Sequence, residues 1–357
     1  MTEAPEVRID QLTGLRAILA PGRADRPDAF APPAAEPRPD AAERCPFCAG
    51  REDRTPPEVW ADRSRGGEPD GPGWTTRAVP NLYPVLAGDA PPPPGGSERA
   101  AARESGVASS VDPLHASTRG AEPDLFRSLP ATGAHEVIVH GPEHATSLAE
   151  LSEERFAEAV GAWRERIRAH AGASYVHLIV NEGPQAGASL EHSHAQLYAL
   201  GFVPATIARE RERAAAYHDR TMGSHLLGDV LTEEVRRRER LVAIDDDAAL
   251  VCPWASRSPF ELRVVPRTPA ARFEDGDAGT GMLRTAVRAL AAAFENPPQL
   301  NLWVRTAPRG AEEFCWHVDV VPRLTVRAGF ELGTGVDINV YPPERATADL
   351  RAAIESV

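Results

Sequence analysis

The sequence predicts an α+β protein made by duplicating one unit, and three observations carry that prediction. First, Phe156, Val160, Trp163 and Ile167 are spaced 4-3-4, which puts them on one stripe of a helix. Leu283, Val287, Leu290 and Phe294 repeat that spacing. Second, each stripe leads into a strand-like run, residues 175–180 and 300–304. Third, a polar motif spaced by twos follows each strand. It is His192-Ser193-His194-Ala195-Gln196 in one half and Cys315-Trp316-His317-Val318-Asp319 in the other. Helix, strand and motif recurring in one order point to an internal duplication.

The elements follow in order. Strand-like runs at 136–140 and 261–265 precede the two helices. Ser152 suits the N-cap of the first helix and Gly172 its end. Asn296-Pro297-Pro298 stops the second. Residues 87–133, with Pro91 to Pro94 and few large apolar side chains, read as a flexible insertion, because such a stretch buries too little surface to offset its ordering entropy. The division expected is 1–205 and 206–357.

Composition excludes several classes. At 357 residues with 42% hydrophobic content, the chain can bury a core of two-domain size. Its 39 basic and 52 acidic residues give a net charge of −13, which argues against a nucleic-acid polymer or an anionic membrane as partner. No apolar run is long enough to span a bilayer, and Met1-Thr2-Glu3-Ala4-Pro5-Glu6 lacks the basic and apolar regions of a secretory signal. Four cysteines, Cys45, Cys48, Cys252 and Cys315, are too few for a disulfide framework, so a reduced, cytoplasmic setting is expected.

The chemistry concentrates in residues 181–196. In an extended segment, side chains two apart share a face, so His192, His194 and Gln196 would point one way and Ser193 and Ala195 the other. An imidazole beside an amide and a small-residue loop suits attack on phosphorus. The ring nitrogen attacks, the amide donates to a phosphoryl oxygen, and loop N–H groups donate to the oxygens that carry the remaining negative charge.

Asn181, Gly183, Gly187, His192, His194 and Gln196 fall on the pattern Asn-x-Gly-x3-Gly-x4-His-x-His-x-Gln. In this the chain resembles the galactose-1-phosphate uridylyltransferase family of the histidine-triad superfamily. Residues 20–27, 79–84 and 322–331 resemble further segments of that family, and only the Pro/Ala-rich insertion stands outside the likeness. The His-Ser-His form is equally similar to the family's ADP-glucose phosphorylase branch, since Pro is usual where Ser193 stands. The resemblance implies two histidine-triad-like halves with antiparallel sheets flanked by helices, and a homodimer. It implies ping-pong transfer of UMP between a UDP-sugar and a sugar 1-phosphate, galactose 1-phosphate in the family. A phosphorylase using the same intermediate is the nearest rival. Glu182, Asp25 and Cys315 depart from the family and leave room for a nucleotide-binding protein that has lost catalysis; the intact His194 and Gln196 argue against it.

On the same resemblance, His194 is the nucleophile and Gln196 its phosphoryl donor. Arg23, Arg26 and Ser189 hold phosphates, Asn81 and Asn181 read ribose or phosphate, and Glu331 accepts hexose hydroxyls. Cys45-Pro46-Phe47-Cys48 is a Cys-x-x-Cys knuckle needing two more ligands to bind Zn²⁺. His144 and His192 match the family's positions for them; His135 and His140 are nearby histidines with a packing role expected. Many relatives carry a second metal, but this chain lacks a second Cys-x-x-Cys and has Cys315 where a His is usual, so one Zn²⁺ per chain is expected.

Overall fold

A computed structural model of the chain describes residues 4–23, 41–64, 66–86, 88 and 130–355. The N-terminal half contains β1 (Glu6–Ile9), β2 (Arg16–Leu19), α1 (Ala41–Arg44), β3 (Trp60–Asp62), β4 (Thr76–Pro80), β5 (Gly133–Val139), α2 (Glu153–Ala169), β6 (Tyr175–Glu182) and β7 (His194–Leu200). Then come α3 (Ala205–Thr221), α4 (Leu226–Arg237), β8 (Leu241–Ile244), β9 (Ala248–Val251), β10 (Leu262–Pro266), α5 (Thr280–Ala292), β11 (Leu300–Arg305), β12 (His317–Pro322), α6 (Gly329–Thr334), β13 (Asp337–Asn339) and α7 (Pro343–Glu355).

Ten strands form one antiparallel sheet in the order β3-β4-β5-β7-β6-β11-β12-β10-β9-β8. The order is two quintets of the same internal sequence, back to back. They join where β6 pairs with β11, with Asn181 opposite Asn301 and Val180 opposite Leu302. We propose residues 1–205 and 206–357 as the two copies. A small sheet, β1-β2-β13, ties the N-terminal strands to the chain's end.

One face of the large sheet is apolar. Phe156, Val160, Trp163 and Ile167 of α2 are buried there against Ile138, Leu178, Val180, Ala195 and Leu197. Leu283, Val287 and Leu290 of α5 cover Leu262, Val264, Leu302, Val304, Val318 and Val320 in the same cluster. Burying each such large side chain contributes about 1.5–3 kcal/mol. Ser152 caps α2, its hydroxyl accepting from Arg155 N at 3.2 Å.

Some boundaries shift from the sequence reading. The helix α5 ends at Ala292, so Phe294 lies beyond it and packs edge-on against Phe260, with ring centroids 5.0 Å apart. The chain leaves helical geometry ahead of the Asn296-Pro297 bond because it must turn into β11. The strand β6 runs on to Glu182 because pairing with β11 continues as far as Leu300. His192 precedes β7, which begins at His194. Of the expected insertion, residues 89–129 lie outside the described residues, while Gly133 is already strand and donates through its N–H to Gly88 O at 3.0 Å.

The opposite face of the central strands is polar. Strand alternation and register place His194, Asn181 and Asn301 in one row across β7, β6 and β11. Gln196, Ile179, Trp303 and Asp319 form the next row, and Tyr198, His177, Arg305 and His317 the one after. No helix among the described residues is long and apolar enough to cross a membrane.

Candidate active site and metal centre

Four side chains expected to bind a metal converge beside β7. The sulfurs of Cys45 and Cys48 and ring nitrogens of His144 and His192 all lie within 4.8 Å of one another. His192 Nδ1 is 3.5 Å from Cys45 Sγ and 3.7 Å from Cys48 Sγ, and His144 Nδ1 is 3.3 Å from Cys48 Sγ. A tetrahedron with metal bonds of 2.0–2.3 Å has edges of roughly 3.3–3.8 Å, so the spacing suits a four-coordinate ion. His192 Nε2–H donates to Gly141 O at 2.9 Å, which leaves Nδ1 as the coordinating atom. Burial and the adjacent Cys45 push the Cys48 thiol up to about 11 without a cation, so metal entry must displace protons. The residues fit a closed site for one metal ion. Among the described residues it is the one group of three or more candidate ligands gathered in this way.

The knuckle touches the nucleophile candidate directly. The Phe47 ring meets the His194 ring edge-on, with centroids 5.3 Å apart. His194 is 6% exposed. Its Nδ1–H donates to the His192 carbonyl at 2.7 Å. This assigns the tautomer, because the carbonyl only accepts. Nε2 therefore carries the lone pair, and it makes no hydrogen bond to any described residue. Burial lowers the pKa of His194, favouring the neutral, nucleophilic ring.

The orientation of Gln196 is fixed by its neighbours. Val85 N–H donates to His135 Nδ1 at 3.3 Å, and His135 Nε2 lies 3.1 Å from Gln196 Oε1. Tyr198 O–H donates to the same oxygen at 2.9 Å. With that oxygen engaged by Tyr198, the Gln196 NH₂ is left to donate elsewhere. His135, 7% exposed, also stacks on Tyr198 with centroids 4.2 Å apart. The packed role expected for His135 is real, but it holds Gln196. Tyr198 was missed, although it continues the by-twos spacing of His194 and Gln196. Asn81 Nδ2 lies 3.1 Å from His135 Nε2, so Asn81 joins the same face.

The glycine loop is shaped by the other half. Gly183 has φ +82°, and a Cβ there would lie 2.3 Å from Gln299 Cδ. Gln299 Oε1 accepts from Gln185 N at 2.6 Å. Asn301 Nδ2 donates to Asn181 Oδ1 at 2.8 Å and to Ala186 O at 2.7 Å. Neither Gln299 nor Asn301 was found from sequence, because only the β6–β11 pairing brings them to the loop. Ser189 is exposed on that loop.

Other expected residues sit apart. Arg23 is exposed at the end of a short 3₁₀ turn, Pro21–Arg23, and Arg26 and Asp25 lie outside the described residues. Glu331 accepts from Ala328 N at 3.0 Å, capping its own helix α6. No described hydrogen bond or ion pair joins Arg23 or Glu331 to His194. The unusual Glu182 turns to the apolar face, where its carboxylate accepts from Ser147 Oγ at 2.9 Å and Leu148 N at 2.5 Å. It thus brings no charge into the glycine loop.

Comparison with known proteins agrees with this geometry. The family model for the galactose-1-phosphate uridyl transferase N-terminal domain matches residues 107–204, the stretch holding β5 to β7. The chain is 27% identical to an ADP-glucose phosphorylase of Arabidopsis thaliana over 98% of this chain and 93% of that one. The chain is similar to the galactose-1-phosphate uridylyltransferase family, and it is a nucleotidyltransferase of that type. A galactose-1-phosphate uridylyltransferase of Haemophilus influenzae is 30% identical over 48% of this chain and 50% of that one. The crystal structure of the A. thaliana ADP-glucose phosphorylase with bound ADP-glucose superposes with a TM-score of 0.74 at 25% identity, covering 98% of this chain and 99% of that one. The family match begins at residue 107, so part of the Pro/Ala-rich stretch lies within the likeness rather than outside it.

Proposed function

We propose that the protein transfers a nucleotidyl group in two displacements through His194. The observation that carries this is the pairing of an imidazole whose Nδ1–H is tied to the His192 carbonyl with an amide whose oxygen is already engaged. His194 Nε2 attacks the α-phosphorus of a nucleoside-diphosphate hexose. The N–P bond forms as the P–O bond to the leaving hexose 1-phosphate breaks. Gln196 NH₂ donates to a nonbridging oxygen as charge develops there. Nδ1–H keeps its proton throughout, and the His192 carbonyl stabilises the positive ring. The acceptor's oxygen then attacks phosphorus and frees Nε2. Asn81, Asn181, Ser189 and the backbone of 187–190 contact phosphate or ribose, with Arg23, Arg26 and Glu331 as further substrate contacts.

In the main reading UMP moves between UDP-hexose and hexose 1-phosphate, as in galactose metabolism. A second reading, ADP-glucose phosphorolysis, is supported by the near end-to-end likeness to the A. thaliana phosphorylase. The metal at Cys45, Cys48, His144 and His192 is proposed to be Zn²⁺. Bound there it would supply rigidity rather than a hydroxide, because four protein ligands close the site. A cytoplasmic homodimer completes the proposal, the compartment supported by four cysteines that form no disulfide, and light scattering and fractionation test it. The deciding experiment offers the protein UDP-glucose and ADP-glucose separately, each labelled with ³²P at the α-phosphate. The correct donor should leave an acid-labile label on His194, discharged by galactose 1-phosphate in the main reading and by inorganic phosphate in the second. Label from neither donor would sink the covalent mechanism.

A further inference from the structure

The residue between the two active-site histidines is held by a buried relay that the mechanism does not use. Trp163, His140 and Ser193 are 0%, 0% and 3% exposed. Trp163 Nε1–H donates to His140 Nε2 at 3.0 Å. Indole N–H only donates, so His140 Nε2 accepts and Nδ1 carries the proton. That proton is donated to Ser193 Oγ at 2.9 Å. His140 N–H also donates to Ser193 O at 3.3 Å, and Ser193 N–H donates to Ala145 O at 2.7 Å.

These bonds hold Ser193 and the two peptide units that flank it. The plane joining His192 to Ser193 points its N–H at Ala145 and its C=O at His194 Nδ1. Because the unit is rigid, fixing Ser193 fixes the direction of that carbonyl and hence the tilt of the His194 ring. The other half provides a control within the same chain. Trp316 occupies the place of Ser193 and likewise donates N–H to Ala270 O at 2.8 Å. His317 Nδ1 likewise faces the Cys315 carbonyl, at the looser distance of 3.3 Å. There the Trp316 side chain packs edge-on against Phe273, with centroids 5.2 Å apart, and it has no imidazole clamp. The clamp accompanies the histidine with an open Nε2.

We propose that His140, set by Trp163, is a positioning residue that aims His194 Nε2 at phosphorus through the Ser193 hydroxyl. The inference rests on His194 being the nucleophile. It assigns to His140 and Trp163 a part in the rate of the first displacement and none in donor affinity. The test is rapid-quench measurement of label transfer from the α-³²P donor in full-length protein, with zinc content and thermal midpoint measured alongside. Ser193→Ala and His140→Leu should each slow label transfer about 10- to 100-fold, the range expected for a small misplacement, with donor KM within about twofold. The double variant should be no slower than the slower single one, since each breaks the same link. His140→Asn, which keeps an N–H donor near the Nδ1 position, should recover most of the rate. Should His140→Leu fail to fold, Ser193→Ala against Ser193→Thr carries the same test, with Thr restoring the hydroxyl. A zinc-loaded Ser193→Ala protein labelled at the wild-type rate overturns the inference, as do additive losses in the double variant. Absence of label on wild-type His194 is a different result, and it removes the nucleophile assignment instead.

Discussion

The two halves place an imidazole at the same backbone address and treat it in opposite ways. His194 and His317 each begin a strand, β7 and β12, and each turns Nδ1 to the carbonyl two residues back. The environment of Nε2 separates them. In the first half it is free of hydrogen bonds to described residues. In the second it faces Glu210 Oε1 at 3.7 Å and Asp319 Oδ2 at 3.8 Å, on a ring 1% exposed. Burial and Arg263 take the His317 pKa down to about 3. Gln196 keeps its NH₂ free, whereas its counterpart Asp319 is consumed, accepting from Arg263 Nε at 2.7 Å and Trp303 Nε1 at 2.8 Å. The position of His192 is taken by Cys315, whose thiol burial pushes up to about 12. Duplication supplied two scaffolds, and the surroundings of Nε2 distinguish the copy proposed to react from the copy that is packed away.

The largest effect should come from exchanging the test between the two histidines. His194→Asn should abolish nucleotidyl labelling and lower turnover on the order of 10³-fold or more. His317→Asn should leave labelling intact and turnover within about fivefold, because a buried neutral histidine beside Glu210 is packing rather than chemistry. Mass spectrometry of the labelled peptide decides it. Label on His317, or full activity in His194→Asn, would reverse the comparison.

Metal content should divide the cysteines in the same way. Cys45→Ser should release nearly all of one metal equivalent per chain and lower the melting midpoint, because a closed site's binding free energy is also folding free energy. Activity should drop with it through the Phe47–His194 contact. Cys315→Ser should keep the metal. Two equivalents per chain by elemental analysis would contradict the single-centre reading.

Much of this contrast was legible in the sequence. Periodicity placed α2, α5, β6 and β11, because an apolar stripe at helical spacing has few other homes. The motif gave His192, His194 and Gln196 a common address. What escaped the sequence depends on register. His135 reaches Gln196 only because β5 pairs with β7, whereas Tyr198 shares the strand face of Gln196 and was open to the by-twos spacing. Gln299 and Asn301 reach the glycine loop only across the join between halves. Glu182 looked like an intruder in the phosphate site, yet one step of strand alternation sends it to the opposite face. Arg26 and residues 89–129 fall outside the described residues, so the readings placed on them stand as proposals.

A smaller effect, on stability, should appear with pH. Burial raises Glu210 from 4.5 to about 7, so the native state holds this proton more tightly than the unfolded chain. The contribution is complete below about pH 4.5 and is lost as pH rises through about 7. The Glu210 contribution should therefore fall across that window, against the opposite slope of His317, whose lowered pKa adds stability as pH rises. Glu210→Gln should flatten the fall, leaving the variant more stable at pH 8 by on the order of 1–3 kcal/mol and little changed at pH 4.5. Glu182, raised to about 7 by burial in the first half, keeps its own slope in that variant. Urea unfolding at several pH values measures both. Parallel stability curves for wild type and Glu210→Gln would show that the second-half histidine is not masked by a protonated carboxyl.

The smallest effect should come from shortening the first half toward the second. In the second half, β9 and β10 are joined by residues 252–261 alone, while the equivalent strands β4 and β5 are separated by residues 81–132. Both connections close an antiparallel pair in the same place of the same quintet. The two ends of the longer one already meet, with Gly133 N–H on Gly88 O at 3.0 Å. A short Gly/Ser bridge replacing residues 90–125 therefore spans a gap the fold has closed, and loop-closure entropy changes slowly with length, by roughly 0.6 kcal/mol per doubling. The shortened protein should fold with a melting midpoint within a few degrees of wild type and label at a similar rate. The outcome carries weight because the family match begins at residue 107, inside the removed stretch. A collapse in soluble yield would mean that the stretch packs on the fold. Normal yield with a lost donor preference would mean instead that it belongs to the substrate site, a role with no counterpart in residues 252–261.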